Sequence, residues 1–307
     1  MASGTSKFSM LANSGRVLRS AVFIALLCAS LHVFAARVLT DETGRRVTVP
    51  DHVGKVVALT PAIANTICAI GGESQLAAVT AYTQFPEQAR NKPSIGDIMH
   101  PSLERIAAIH PDLVIAMSTL NSPETVRGLE RIGIQVYLVT GQDLAGLYRS
   151  ITSIGQVLGR EREAQALSQQ LHAREQRIRE QAKAGGAGPR VLLLLSIDPC
   201  ITAGRTAFLT EMITAAGARS VTDDVKQDWI RMSVESLVAR NPDYLLTLMD
   251  APFSVNELKS RPGWSQLEAV RRGHVLRIDD RLQVPAPVAF DGLEEFARQL
   301  RAAGGGK

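Results

Sequence analysis

The sequence predicts an α/β protein built as two Rossmann-like lobes with parallel sheets, joined by one long rigid helix, and three observations carry that prediction. From Arg160 to Ala184 the chain is densely charged, yet Ala164, Leu167, Leu171, Ile178 and Ala182 follow helical spacing and make one thin apolar stripe. Such a helix packs on one side only, and Gly159 before it and Gly185-Gly186 after it bound it. On both sides of this helix, short apolar runs alternate with amphipathic segments, the rhythm of strands and covering helices in an α/β sheet. Third, residues 102–115, SLERIAAIHPDLVI, align without a gap on residues 233–246, SVESLVARNPDYLL, with serine, glutamate, alanine, proline and aspartate in register. A repeat on either side of one helix implies two lobes of like construction with a cleft between them.

Residues 1–35 read as a signal peptide: Lys7, Arg16 and Arg19 precede an apolar run from Ala21 to Phe34, with cleavage near Ala35. The run is short for a membrane span, and Leu26-Leu27 ahead of Cys28 lack the small residues that lipidation would need, so an anchor at Cys28 is the secondary reading. Residues 36–143 make the first lobe. Arg37 to Val49 alternates around Glu42-Thr43-Gly44 as a hairpin. A buried strand from Val56 to Thr60 stops at Pro61, where a helix begins, and Leu76 to Thr80 is the next strand. A helix from Ser102 to Ile109, a strand from Leu113 to Ala116, a helix from Pro123 to Ile132 and a strand from Val136 to Val139 complete it. Residues 144–188 hold an amphipathic helix, with Leu144, Leu147, Ile151, Ile154 and Leu158 on one face, and then the connector. Residues 189–307 restart the scheme with strands at Val191 to Ser196, Tyr244 to Leu248 and Val275 to Ile278, a helix at Phe208 to Ala216, and a loose glycine tail.

Of the formal charge of +4, three units belong to the leader, and no basic stripe with interleaved aromatics remains to bind nucleic acid. Cys68 and Cys200 fall in different halves, open to bridging in an oxidising compartment but sufficient as two small buried hydrophobes. A glycine-rich phosphate loop, a G-x-S-x-G elbow, C-x-x-C and H-E-x-x-H are all absent, and the histidines at 32, 52, 100, 110, 172 and 274 show no metal-ligand spacing. A two-lobed α/β chain without a reaction centre is expected to bind and not to catalyse, with no cofactor and no resident metal.

Val57-Ala58-Leu59-Thr60-Pro61, Tyr82-Thr83-Gln84-Phe85-Pro86-Glu87-Gln88-Ala89, Ser102-Leu103-Glu104-Arg105-Ile106, Pro111-Asp112-Leu113-Val114 and Gln227-Asp228-Trp229 through Ser233-Val234-Glu235 carry a family resemblance. From about Lys55 to Phe296 the chain resembles the substrate-binding proteins of ABC importers for vitamin B12, haem and ferric siderophores, class III periplasmic binding proteins, and most of all their cobalamin-binding members. The resemblance implies a periplasmic monomer that delivers its cargo to an ABC permease dimer with its ATPase subunits. Cobalamin is the first expectation for the cargo, with haem or a ferric siderophore as alternatives.

The resemblance also places the cargo on strand-end loops, where Thr60, Pro61, Tyr82, Ile98, Met99, His100, Ile201, Trp229, Arg231, Asp280 and Arg281 stand. Tyr82 would offer a flat amphipathic ring to a planar ligand, or else cap its own loop. Trp229 lies in the polar stretch Lys226 to Arg231, where an indole costs exposure unless a partner covers it. Asp280 matches an aspartate that bonds corrin amide side chains in the cobalamin relatives, and equally suits a turn. Ile98 and Ile201 stand where those relatives carry aromatic rings, Met99 and His100 flank the first of them, and the imidazole could ligate iron or cobalt. Arg205, Arg231 and Arg281 are the cations a ferric siderophore would need. Glu104 and Glu235, the equivalent acids of the repeat, would meet arginines on the two permease subunits, although a first-turn acid also gains from its own helix dipole.

Overall fold

The computed structural model describes residues 36–184, 186–250 and 253–304, so the expected signal peptide, Cys28 and the last three residues lie outside the described residues. A hairpin of β1 (Ala36–Thr40) and β2 (Arg46–Pro50) comes first, and the Asp41 carboxylate fixes its turn by accepting from the Thr43 and Arg45 amides. The first lobe then runs β3 (Val56–Ala58), α1 (Pro61–Ala69), β4 (Leu76–Ala78), α2 (Glu87–Arg90), α3 (Leu103–Ile109), β5 (Leu113–Met117), α4 (Pro123–Arg131) and β6 (Val136–Val139). Two helices follow, α5 (Leu144–Leu158) and the connector α6 (Glu161–Ala184). The second lobe contains β7 (Arg190–Leu194), β8 (Ser196–Ile197), β9 (Cys200–Ala203), α7 (Phe208–Ala215), β10 (Arg219–Ser220), β11 (Trp229–Arg231) and α8 (Val234–Arg240). It ends with β12 (Tyr244–Leu248), α9 (Val255–Ser260), α10 (Glu268–Arg272), β13 (Val275–Ile278) and α11 (Ala289–Gly304).

The two parallel sheets share one topology. Their strand orders are β4-β3-β5-β6 and β10-β7-β12-β13, in each case second, first, third, fourth along the lobe. β3, β5 and β6 are buried along their whole length, as strands of a parallel sheet covered on both faces must be.

The matched serines, prolines and aspartates of the sequence repeat each have a physical basis. Ser102 and Ser233 cap α3 and α8 by accepting from the Arg105 and Ser236 amides. Both helices end on a left-handed residue, His110 (φ 49°) and Asn241 (φ 41°), because the following Pro111 and Pro242 disfavour continued helix. The next residue ties each lobe shut. Asp112 accepts from the Gly54 and Lys55 amides at 2.7 and 2.8 Å, and Asp243 from the Arg190 amide at 2.7 Å, so each aspartate locks the start of its lobe's first strand.

The connector does more than span. Gly159, at φ 68°, ends α5 in the left-handed conformation that lets the chain turn into α6. Ala164, Leu171 and Ile178 of α6 are buried in one apolar cluster that takes Ile63 and Ile67 from α1 and Phe290, Leu293 and Phe296 from α11, so the two lobes share a core along their seam. Polar contacts brace the same seam: Arg174 on α6 reaches Asp291 at 2.7 Å and Glu294 at 2.8 Å. The Asn65 amide oxygen accepts from the Val288 N–H at 3.1 Å, and Glu211 accepts from the Leu144 N–H at 2.7 Å. Its bond from Arg174 holds the Glu294 carboxyl below the ordinary glutamate range, against the opposing effect of burial, so this brace stays ionised in mildly acidic surroundings.

Cys68 and Cys200 are free thiols, Cys68 half-buried and Cys200 buried, and burial pushes both up to about 11. No helix among the described residues is long and apolar enough to cross a membrane.

Candidate ligand-binding cleft

The carboxyl ends of a parallel sheet are where its loops can be shaped without disturbing the core, and ligands of open α/β sheets sit there. In the first lobe, Thr60 and Pro61 follow β3, Tyr82 follows β4, and Ile98, Met99 and His100 lie on the loop that leads to α3. Two hydrogen bonds stitch the second and third of these groups together: Ala81 N–H donates to Gly96 O, and Ile95 N–H to Val79 O. Asp97 then orders the tip, accepting from the Met99 N–H at 2.7 Å and the His100 N–H at 3.3 Å. With its backbone held, the loop leaves Tyr82 61% exposed and Met99 51% exposed. Thr60 is buried, and its hydroxyl caps α1 by accepting from the Ile63 N–H, so it shapes the rim without presenting a polar group to it.

In the second lobe the equivalent rim carries an element that the sequence does not announce. β8, β9 and β11 form a three-stranded antiparallel sheet beyond the end of β7, joined to it where Leu195 N–H donates to Ile201 O. Ile201 pairs with Arg231, and Trp229 pairs with Ala203. Along β11 the alternation points Ile230 inward and leaves Trp229 and Arg231 exposed on the other face. Trp229, expected in a polar loop, is thus mounted on a strand and remains 55% exposed.

The chain just before it is held by Gly204, whose N–H donates to Asp228 O, and by Thr206, whose hydroxyl donates to the Asp228 carboxylate at 2.5 Å. A Cβ at Gly204 would collide with the Gln227 carbonyl, so only glycine allows this approach. Gly204→Ala is expected to push the 225–228 segment outward and cost about 1–3 kcal/mol. Thermal melting would measure the loss, and the emission of Trp229 would move while the buried Trp264 stays as an internal reference.

Asp280 and Arg281 part company. Both Asp280 oxygens accept from the Asp250 N–H, at 3.3 and 3.2 Å, which ties the end of β12 to the turn after β13. Burial pushes the Asp280 carboxyl above the ordinary aspartate value; the Asp250 N–H opposes the rise and the nearby Asp250 charge adds to it. Arg281 instead pairs with Asp279 at 2.6 Å and Asp291 at 3.4 Å, within its own lobe. Two further exposed apolar side chains join the rims, Phe85 after Tyr82 and Met249 immediately after β12. Met249 reads in the sequence as the next residue of an apolar run, and the signal that separates it is only the Asp250 that follows.

The profile of the periplasmic binding protein family matches residues 56–282. The chain belongs to that family. This periplasmic binding protein is 28% identical over 269 residues to YvrC of Bacillus subtilis strain 168, an uncharacterized ABC transporter substrate-binding lipoprotein, covering 85% of this chain and 84% of that one. It is 26% identical over 208 residues to IsdE, a high-affinity heme uptake system protein of Staphylococcus aureus, covering 66% of this chain and 71% of that one. Among solved structures it superposes on the periplasmic heme-binding protein RhuT of Roseiflexus sp. RS-1 with a TM-score of 0.75 at 25% identity, covering 82% of this chain and 99% of that chain. The vitamin B12 binding protein BtuF of Vibrio cholerae gives a TM-score of 0.70 at 22% identity, over 82% and 98% of the two chains, a likeness of fold. The periplasmic binding protein is therefore the extracytoplasmic substrate-binding component of an ABC importer, which works with a permease and its ATPase; it is a carrier and not an enzyme, and what it holds is cargo.

On this periplasmic binding protein Glu104 and Glu235 are exposed at matched places in the first turns of α3 and α8. The residue's own backbone N–H, followed by the Ser102 or Ser233 hydroxyl, holds each carboxyl below the usual glutamate range. Both acids therefore keep their charge as pH falls through the mildly acidic region and lose it only below the ordinary glutamate value.

Proposed function

We propose that this protein captures a large planar metallotetrapyrrole between the two rims, cobalamin first, and delivers it to its permease as a monomer in the periplasm. The observation that supports this reading is the pair Tyr82 and Trp229, one large amphipathic ring on each lobe, 61% and 55% exposed at the carboxyl ends of the two sheets. Exposed rings of this size are costly in water and are what a flat, largely apolar guest needs above and below it. Ile98 and Ile201 widen the apolar floor, and Arg231 and Asp280 supply polar contacts for a guest's peripheral groups. Haem is the second reading. It is favoured by relatives named for heme at 25–26% identity and by Met99 and His100, whose side chains stand exposed beside Tyr82 on a stitched loop.

Titration with cyanocobalamin, haemin and a ferric siderophore, followed by quenching of Trp229, tests the assignment. Saturable quenching by cyanocobalamin supports the first reading, quenching by haemin alone favours the second, and no response to either tetrapyrrole would overturn both. Because the lobes share a core at their seam, small-angle scattering of free and loaded protein is expected to show almost the same radius of gyration.

Glu104 and Glu235 are read as the two docking charges for the two permease halves. Charge reversal of both, Glu104→Arg with Glu235→Arg, is expected to abolish permease-dependent uptake in reconstituted vesicles while leaving cargo affinity unchanged.

A further inference from the structure

We propose that Asn121 is a positioning residue that sets cargo affinity from beneath the first lobe's rim, an inference that rests on the cargo-binding reading above. Asn121 is buried and lies between β5 and α4. Its side-chain oxygen accepts from the Met117 N–H at 2.8 Å, and its side-chain nitrogen donates to Ile98 O at 2.9 Å and, more weakly, to Leu59 O at 3.4 Å. One amide thus joins three segments of the rim: the end of β3, the end of β5 and the loop that bears Met99 and His100. The orientation of the amide is dictated by its partners, since the single N–H needs an acceptor and the two carbonyls need donors.

The Ile98 carbonyl is the part of this clamp that matters for cargo. Asp97 orders the same loop only from within, through the Met99 and His100 amides. Backbone bonds hold its start beside the end of β4, and Asn121 adds the side-chain tie from Ile98 to the ends of β3 and β5. Gly96 carries the constraint on to the Tyr82 loop through its carbonyl, which accepts from the Ala81 N–H. A side chain that never meets the guest therefore fixes the height of Met99, His100 and Tyr82 over the β-sheet. A site held from behind in this way loses affinity when its support is loosened, because the loop must then be ordered at the moment of binding.

Asn121→Asp keeps an acceptor for the Met117 N–H and removes the donor to Ile98 and Leu59. Hydrogen–deuterium exchange of N121D should quicken at residues 97–100 and leave β12 and α6 at the wild-type rate. Affinity for whichever of cyanocobalamin and haemin the wild type takes should fall about tenfold at a temperature where both proteins are fully folded. Wild-type affinity in N121D with residues 97–100 exchanging faster would overturn the proposal, as would unchanged exchange there. Should N121D fail to fold, Asp97→Ala loosens the same loop from its exposed side and should weaken the same probe. A freed loop with wild-type affinity in D97A also sinks the idea. A wild type that binds neither probe would overturn the cargo reading, and the exchange rates of residues 97–100 would still decide whether Asn121 holds the loop.

Discussion

Trp229→Ala should weaken cargo capture by about thirtyfold or more, the effect of losing an interface hot spot of about 2 kcal/mol. The thermal transition should barely move. Trp229 is 55% exposed, so its removal gives up only part of a side chain's burial, and its ladder partner Ala203 is held by backbone bonds that alanine keeps. Exposed substitutions of this kind stay within about 0.5 kcal/mol in stability. Trp229→Phe, which retains a flat ring, should recover most of the affinity. Titration of the two variants by cargo absorbance, which does not depend on the missing indole, makes the comparison. Wild-type affinity in Trp229→Ala would remove the second lobe's ring from the binding site.

Phe290→Ala should have the largest effect on stability. Phe290 is fully buried at the seam, with the Tyr148 ring 6.2 Å away and the Arg174 guanidinium 5.9 Å above its own ring. Deleting a buried phenylalanine costs about 3–5 kcal/mol, which in a chain of this size lowers the melting temperature by about 10 °C. The informative part is the shape of the transition. Because one apolar cluster runs from α1 through α6 to α11, both lobes should melt together in the variant as in the wild type. Calorimetry that showed the first lobe melting at its original temperature, separate from an early second transition, would mean that the seam does not couple them.

Much of the fold was legible because it is written in local periodicity. The apolar stripe of α6, the serine caps and the prolines that follow α3 and α8 each act within a few residues, and a reading of spacing finds them; the aspartates after those prolines recur in the sequence, but their partners lie more than fifty residues away. Elements that exist only through distant partners were not. β8, β9 and β11 are 2, 4 and 3 residues long, too short for an alternating pattern, and are strands only because Trp229 to Arg231 lies beside Ile201 to Ala203. The seam was equally hidden: Asn65 and Val288 are 223 residues apart, and nothing near either one marks the bond. The densely charged connector read as a strut between lobes, whereas its few buried residues join both into one core. In the candidate site, Tyr82 and Trp229 were visible as large rings in polar company. Arg281 differs from Arg231 through Asp279, two residues before it, which takes its guanidinium at 2.6 Å, a local signal; only the longer contact to Asp291 at the start of α11 lies beyond the reach of spacing.

Because α11 follows every other described element in sequence, the seam is completed late when the molecule is made. Synthesis proceeds from the amino end, so the strands of the first half, and the long helix after them, emerge well before residues 289–304. Until that final helix arrives, Leu171 and Ile178 have no roof on that side, Arg174 lacks both its carboxylates, and the Asn65 oxygen has no Val288 amide to receive. The growing chain therefore carries a wet, half-finished flank until α11 emerges and closes over it like a latch.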